Sequence, residues 1–404
     1  MTDEIKRNPK ILTCTEPSIV VAGNGLSGIS AVLSLNQCGH HVRWVSPAMK
    51  EFDSLWPESV QLSGLLSLDK LVEIEPILKK CAIRVSSHYS CWGSTHLTQR
   101  PVSLNGAHQK DLILIDKQKL IHQLQLAMNT EKIIRQSSRI RTITQNSGEF
   151  TGKTREGVTF KSRFIIDATG ANSALHHTKT SSKSIDHFHV LCWQSRNAEN
   201  SKIQSTFLEA APTGWWYAAP RLHGGLSLFF ATDLNQSTDH DVKTTRYIAE
   251  KLNETTHLKH WIKDLNLHHF SAPIIRHYSV QYQQQTTQVS NQTSGLAFLL
   301  AGDAAISLDP LSSHGSTNAI WSGLQVAECV DHLHQRWSTD RCIAYHKAIE
   351  RSMIHHLNGR RKIYEQETRF SDHPFWTARR EHCHLHGLSS KQSDHHNQSL
   401  ETMT

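Results

Sequence analysis

Asp303 stands one residue past an apolar run, Phe298-Leu299-Leu300-Ala301, and directly after Gly302. A carboxylate placed where a buried strand gives way to a turn can accept hydrogen bonds from a polyhydroxylated ligand. Two other segments are built the same way. Ile19-Val20-Val21-Ala22 runs into Gly23-Asn24-Gly25-Leu26-Ser27-Gly28, the spacing G-x-G-x-x-G, and Phe164-Ile165-Ile166 runs into Asp167-Ala168-Thr169-Gly170. In the first of these, Gly23 makes the tight turn and Gly25 lets a pyrophosphate approach the backbone. Gly28 lets the following helix pack closely on the strand. That helix, predicted from about Leu26 to Asn36, points its N–H groups and positive end at the phosphates, with Leu26 and Ser27 in its first turn. A single glycine-rich turn is weak evidence, but three in this order, each ending an apolar strand, predict a dinucleotide site.

The third segment fits a flavin, and an ordinary turn between strand and helix is the alternative. Asp303 is placed to bind the ribityl hydroxyls of FAD, and Pro310 interrupts any helix in the loop that follows. From about Ser316 the apolar positions Ile320, Leu324, Val326, Ala327, Val330 and Leu333 read as a long amphipathic helix. Its N-terminus, with Gly315, is expected to face the flavin pyrimidine, where reduced flavin carries negative charge. One position departs from the pattern. The strand His41-Val42-Arg43-Trp44-Val45 is followed by Ser46, not by the acid that usually binds an adenosine ribose, so a serine hydroxyl is expected to make that contact.

The elements that must position these residues predict an α/β fold. Residues 17–184 and 286–335 form a discontinuous Rossmann-like FAD-binding domain, interrupted at 47–105 by a lid-like insertion. Residues 185–285 carry strand-length apolar runs separated by Pro212-Thr213-Gly214 and His223-Gly224-Gly225. They predict an inserted antiparallel sheet that walls a substrate pocket. Helices are expected at 336–369. Residues 370–404 read as a polar, histidine-rich, flexible tail, whose His382-Cys383-His384-Leu385-His386 is read as an adventitious metal binder, not a metal site.

The 404 residues carry a formal net charge of +7, but no basic run with interleaved aromatics marks a nucleic-acid surface. The N-terminus, Met1-Thr2-Asp3-Glu4-Ile5-Lys6-Arg7, lacks the apolar run of a secretory signal, and no window of about 18 apolar residues predicts a membrane span. The 8 cysteines lack C-x-x-C spacing and read as reduced thiols, so a cytoplasmic location is expected.

Taken with these motifs, the chain resembles the FAD-dependent monooxygenases of the aromatic-hydroxylase type, in the branch that includes the tryptophan halogenases. A narrower resemblance rests on Asp309-Pro310-Leu311-Ser312-Ser313-His314-Gly315, Gly214-Trp215-Trp216-Tyr217-Ala218-Ala219-Pro220 and Trp92-Gly93-Ser94. It is to the flavoproteins that mature tryptophylquinone enzymes such as quinohemoprotein amine dehydrogenase and lysine-ε-oxidase. The resemblance implies FAD, O2 as co-substrate, and NAD(P)H or reduced flavin as reductant. It also implies hydroxylation of a tryptophan side chain in a partner quinoprotein subunit.

Halogenases carry G-W-x-W-x-I-P, where this chain has Tyr217 and Ala219 in place of the second Trp and the Ile. They also need a lysine after the first motif, and none lies between Cys81 and Ala107. Trp215, Trp216, Tyr217 and Trp92 are the candidate pocket aromatics, although consecutive strand residues must alternate faces. A base near the ring could take the indole proton, and His314 and His88 lie beside the motif segments. A halogenase, a small-molecule aromatic hydroxylase, a reductase of prenyl double bonds and a non-catalytic FAD-binding maturation factor are the alternatives.

Overall fold

The computed structural model describes residues 17–48, 57–102, 112–146, 148–171, 175, 180–195, 203–234, 241–285 and 295–381. The apolar runs ending in the three motif turns lie side by side in a five-stranded parallel sheet. Its order is Ala297–Leu300, Phe164–Asp167, Ile19–Ala22, Val42–Ser46, Ile133–Ser137. Val20 pairs with Ile165 on one side and Arg43 on the other, and Ile165 pairs with Phe298. All four residues of each of the first three strands are buried. Unbroken apolar runs, not alternating ones, are what a parallel sheet covered on both faces requires.

Two helices cover the sheet next to the motifs, Leu26–Gln37 and Gly315–Gln335. They approach closely because glycines stand at the crossing. A Cβ on Gly323 would lie 2.3 Å from the Ser27 carbonyl oxygen, and one on Gly302 would lie 2.6 Å from Ser27 Oγ. The sequence thus sets the spacing of the two helix N-termini that flank the site.

A second sheet of eight strands runs Ile306–Ser307, Ile274–Gln285, Thr180–Gln194, Leu226–Thr232, Gly214–Pro220, Ser205–Ala211, Ser87–Cys91, Thr98–Pro101. Every neighbouring pair is antiparallel except Ser205–Ala211 with Ser87–Cys91. Pro212 and Thr213 make the two-residue turn between Ala211 and Gly214, where a Cβ on Gly214 would overlap the Ala231 carbonyl oxygen at 2.0 Å.

The strands described within 47–105, the expected lid-like insertion, are divided between two sheets. Pro57–Gln61 pairs with Leu112–Asp116 in a small sheet, while Ser87–Cys91 and Thr98–Pro101 extend the eight-stranded one, because backbone groups at a sheet edge are satisfied by a further strand. The first residues of the tail expected from 370 are structured. Pro374–Glu381 is a helix whose Phe375, Trp376 and Arg379 are buried against the sheet and the helix Asp340–Gln366. His382–His386 lies outside the described residues. Among the described residues no group of three metal-ligating side chains converges, and no helix is long and apolar enough to cross a membrane.

Candidate functional site

The three motif turns meet around one cavity of about 650 Å³. Gly23, Gly25, Leu26 and Ser27 line it from the first turn, Gly170 from the second, and Asp303 from the third. Pro310, Ser313 and Gly315 complete that side. Bare backbone suits this wall to a dinucleotide. A Cβ on Gly25, Gly170 or Gly315 would meet no atom within 4 Å, so each missing side chain leaves space open. The helices starting after Gly25 and after His314 both lack a side-chain cap and an acidic residue in the first turn. Their leading N–H groups and positive dipole ends are thus available to an anionic or electron-rich ligand.

Several expected cofactor residues stand behind this wall. A Cβ on Gly28 would sit 2.3 Å from the Gly23 carbonyl oxygen, and one on Gly23 (φ +116°) 2.1 Å from that of Ala168. Gly28 and Gly302 therefore set packing distances and do not line the cavity. Asp167 accepts hydrogen bonds from the Thr169 N–H at 2.9 Å and the Thr169 hydroxyl at 2.6 Å, and so holds the turn that presents Gly170. Ser46 is buried at the end of its strand and outside the lining, with no hydrogen-bond partner for its hydroxyl among the described residues. Its neighbours Val45 and Pro47, with Ser138 and Arg139, line that end instead.

One wall carries a polar cluster that motif reasoning missed. Lys117 Nζ lies 2.9 Å from Glu58 Oε1, and the Ser316 hydroxyl donates to the other oxygen of the same carboxylate. Asp303 and Tyr278 line the cavity beside them. Burial pulls the Lys117 ammonium down, but the Glu58 carboxylate outweighs it, and the pKa ends above its ordinary value. Burial raises Asp303, against the opposing pull of Lys117, and it pushes the Tyr278 phenol up to about 12. Lys117 therefore stays charged within reach of an anionic ligand. The available signal was Asp116-Lys117 at a strand-to-helix junction, where Asp116 accepts the Lys119 N–H at 2.8 Å and caps the helix.

Another part of the lining is mostly apolar, Val190, Leu208, Trp215 and Phe229, with the Tyr217 ring among them. Strand alternation splits the three consecutive aromatics. Trp215 and Tyr217 face the cavity, while Trp216 faces away and stacks between Trp193 at 5.7 Å and Phe230 at 4.5 Å. Trp216 is thus a core residue. Trp92 is also outside the pocket. Its indole N–H donates to the Ile363 carbonyl at 2.8 Å and its ring packs on Trp376 at 5.3 Å, anchoring the C-terminal helices.

Neither candidate base touches the cavity. His314 Nε2 lies 3.2 Å from Gln61 Nε2, on the side of the loop away from the motif turns. His88 Nδ1 lies 2.6 Å from Thr206 Oγ1, and Thr206 in turn hydrogen-bonds the Tyr217 hydroxyl. His88 therefore reaches the cavity only through two other side chains. Burial, helped by Arg100, lowers its pKa.

Trp215 is held in place by a buried chain of contacts. Its Nε1 donates to the Tyr364 hydroxyl at 3.1 Å, and that hydroxyl donates to Asp309 Oδ2 at 3.1 Å. Arg360 Nε donates to the same oxygen at 2.8 Å. The Asp309 N–H donates to His356 Nε2 at 3.0 Å. Burial would raise the Asp309 carboxyl, but the guanidinium beside it brings it below its ordinary value.

Comparison with known proteins follows this geometry. The chain matches no protein-family model. Over 202 residues it is 27% identical to LodB of Marinomonas mediterranea, described as an FAD-dependent oxidoreductase; the match covers 46% of this chain and 47% of the relative, about half of each. Among solved structures it is similar to QhpG, a peptidyl tryptophan dihydroxylase essential for tryptophylquinone cofactor biogenesis. The TM-score is 0.69 at 19% identity, over 90% of this chain and 79% of that one. It is similar as well to the myxobacterial chondrochloren halogenase CndH, with a TM-score of 0.70 at 16% identity over 90% and 86%. A third is p-nitrophenol 4-monooxygenase PnpA from Pseudomonas putida, with a TM-score of 0.66 at 13% identity over 91% and 96%. The chain has the mixed α/β fold of these solved structures, with its glycine-lined cavity between the parallel sheet and the eight-stranded one.

Proposed function

We propose that this protein is an FAD-dependent monooxygenase that hydroxylates an indole ring, with a tryptophan side chain of a partner quinoprotein subunit as substrate. The observation that carries the reading is one cavity bounded by two unlike walls. Backbone N–H groups, open glycines, Lys117 and Asp303 suit a flavin dinucleotide, and Trp215, Tyr217 and Phe229 suit an aromatic ring. The likeness to QhpG, a peptidyl tryptophan dihydroxylase, supports a polypeptide substrate, and that to LodB supports FAD.

Bound FAD, once reduced, supplies the oxygen-activating chemistry. The chain's own residues bind, orient and exclude. N–H groups after Gly25 would receive the pyrophosphate, and Asp303 would accept hydrogen bonds from ribityl hydroxyls. Lys117 places a positive charge beside them, and the N-terminus of the Gly315–Gln335 helix offsets negative charge on the ring system. Trp215, Val190, Leu208 and Phe229 keep water from the reacting ring and restrict its orientation. Tyr217 is the polar group there; burial raises its phenol above its ordinary value, so the hydroxyl, shared between Ser59 at 3.5 Å and Thr206, stays neutral and can hydrogen-bond a polar atom of the substrate ring.

A halogenase reading is weakened by the cavity's lysine. Lys117 is ion-paired to Glu58 among the polar residues, not set alone on the aromatic wall. Turnover under isotopically labelled O2 tests the reaction class. One labelled oxygen in the hydroxylated aromatic product, unchanged by halide, supports the proposal. A halogenated product, or flavin reduction with no oxygen transfer, would remove it.

A further inference from the structure

Among the described residues, three readily oxidised rings line the cavity: Trp215, Tyr217 and Tyr278. Two of them lead only to phenylalanine. Tyr217 packs on Phe229 at 5.9 Å and Tyr278 on Phe188 at 5.9 Å. Phenylalanine is hard to oxidise, so an electron vacancy on either tyrosine goes no further. Trp215 differs, because its Nε1 donates to the Tyr364 hydroxyl at 3.1 Å. The Tyr364 ring in turn lies 6.2 Å from Trp92 and 5.8 Å from Trp376, which are 5.3 Å from each other. Trp215, Tyr364 and Trp376 are at most 4% exposed, whereas Trp92 is half-buried and reaches the surface. Strand Gly214–Pro220, helix Asp340–Gln366, the residue after strand Ser87–Cys91 and helix Pro374–Glu381 each supply one ring. Together they form a run of oxidisable rings from the cavity wall to solvent.

The middle of the run is built to lose a proton together with its electron. The Tyr364 hydroxyl donates to Asp309 Oδ2 at 3.1 Å, and the Arg360 guanidinium lies 4.8 Å over the Tyr364 ring. Positive charge on a buried ring under a guanidinium is unfavourable, and an oxidised phenol is a strong acid. Loss of an electron from Tyr364 is therefore coupled to transfer of its phenolic proton to Asp309, which leaves a neutral ring. The pairing with Arg360 keeps Asp309 ionised and ready to accept. The proton returns along the same hydrogen bond when the ring is refilled.

We propose that Trp215, Tyr364 and Trp92 form a redox relay that carries one-electron oxidising equivalents from the flavin cavity to the surface. The inference rests on the flavin reading above. The oxidant is flavin excited by blue light, and the reductant is a small thiol that meets Trp92. Trp215 gives one electron to the excited flavin and is refilled from Tyr364, whose proton moves to Asp309. Trp92 refills Tyr364 and the proton returns. The thiol then refills Trp92 and releases its own proton to solvent. Two such passages, with two protons taken up from solvent, convert FAD and two thiols into the reduced cofactor and one disulfide. Trp215 is restored after each passage, which protects the aromatic wall of the cavity from oxidation.

Anaerobic blue illumination of the purified, flavin-loaded protein with glutathione tests this, read as bleaching of the flavin's visible absorbance. Trp92→Phe keeps an aromatic ring at the surface end and leaves the cavity untouched, while Tyr364→Phe removes the oxidisable phenol. Each variant should hold its flavin and bleach at least about tenfold more slowly than the parent protein. In a second arm, with O2 and no thiol, peptide mass should show light-dependent oxygen on Trp92 in the parent and on Trp215 in Tyr364→Phe. No bleaching of the flavin-loaded parent overturns the relay alone. So does bleaching of Trp92→Phe at the parental rate, or oxidation confined to Trp215 in the parent. A parent protein that takes up no flavin overturns the flavin reading, and the relay falls with it.

Discussion

Gly25 and Gly28 lie three positions apart and are predicted to fail in opposite ways. Gly25→Val places its side chain in open cavity, so the protein should purify without flavin and melt where the flavin-stripped parent protein does. Gly28→Val drives a Cβ to 2.3 Å from the Gly23 carbonyl oxygen, so it should lower stability or solubility before cofactor binding is at issue. Yellow, stoichiometric Gly25→Val protein would show that the first turn does not receive a pyrophosphate. Asp303→Ala removes the acceptor on the third turn and should weaken FAD by about ten- to a hundredfold, about 1.5–3 kcal/mol, as read by flavin fluorescence titration.

His356 provides the pH dependence at the same scale. Burial holds its imidazole down to about 4, with Asp309 partly opposing the shift. The unfolded chain takes up this proton near pH 6.5, while the folded chain refuses it until about pH 4. Stability is therefore fully present above about 6.5 and declines as pH falls toward 4. Protonation also costs the Asp309 N–H its acceptor, which loosens the loop that lines the cavity. His356→Gln should flatten the fall in melting temperature across that window. An identical slope in the variant would show that the acid sensitivity lies elsewhere.

Among elements, the loop Leu308–Ser313 matters most, because it lines the cavity and is tied through Asp309 to the Asp340–Gln366 helix. Tyr364→Phe removes the hydroxyl that joins Trp215 to Asp309 and should cost about 1–2 kcal/mol of stability. Because Trp215 would lose its orientation, aromatic ligands should perturb the flavin spectrum less in this variant, while flavin content stays near normal. An unperturbed ligand response would make the contact purely structural.

The parts of the fold legible in the sequence are the locally encoded ones. Ile19–Ala22, Phe164–Asp167 and Ala297–Leu300 announce buried parallel strands by their continuous apolar runs, and their glycines announce the turns. The Glu58–Lys117 pair was hidden because its members lie 59 positions apart and belong to no motif. The parallel pairing of Ser87–Cys91 with Ser205–Ala211 was hidden for the same reason, and a mixed polar strand such as Ser-His-Tyr-Ser-Cys has no periodicity to declare its partner. Strand alternation did require that Trp216 part from Trp215 and Tyr217, but only the pairing with Leu226–Thr232 decides which face meets the cavity.

At the scale of the whole molecule, a buried ionic clamp joins the sheet, the loop and the C-terminal helices. Arg360 reaches Asp309 at 2.8 Å and also Asp186, while Arg379 reaches Asp186 at 3.2 Å and Asp233 at 2.8 Å. Arg379→Ala would leave the half-buried Asp186 and Asp233 carboxylates short of their counter-charge and should destabilise the protein by about 2–3 kcal/mol in chemical denaturation. A near-neutral result would mean that the last helix is dispensable to the fold.

The central claim is that both cavity walls serve one reaction, carried out on an indole ring that belongs to another polypeptide. Its most direct measurement is the intact and peptide mass of a candidate quinoprotein subunit co-expressed with this protein, in the presence and absence of O2. The account predicts added oxygen, in steps of one atom, on a tryptophan of that subunit. The gain should require O2 and reductant and should vanish with Gly25→Val. An unmodified subunit, in a preparation that hydroxylates free tryptophan or a phenol, would contradict it and leave a small-molecule hydroxylase in its place.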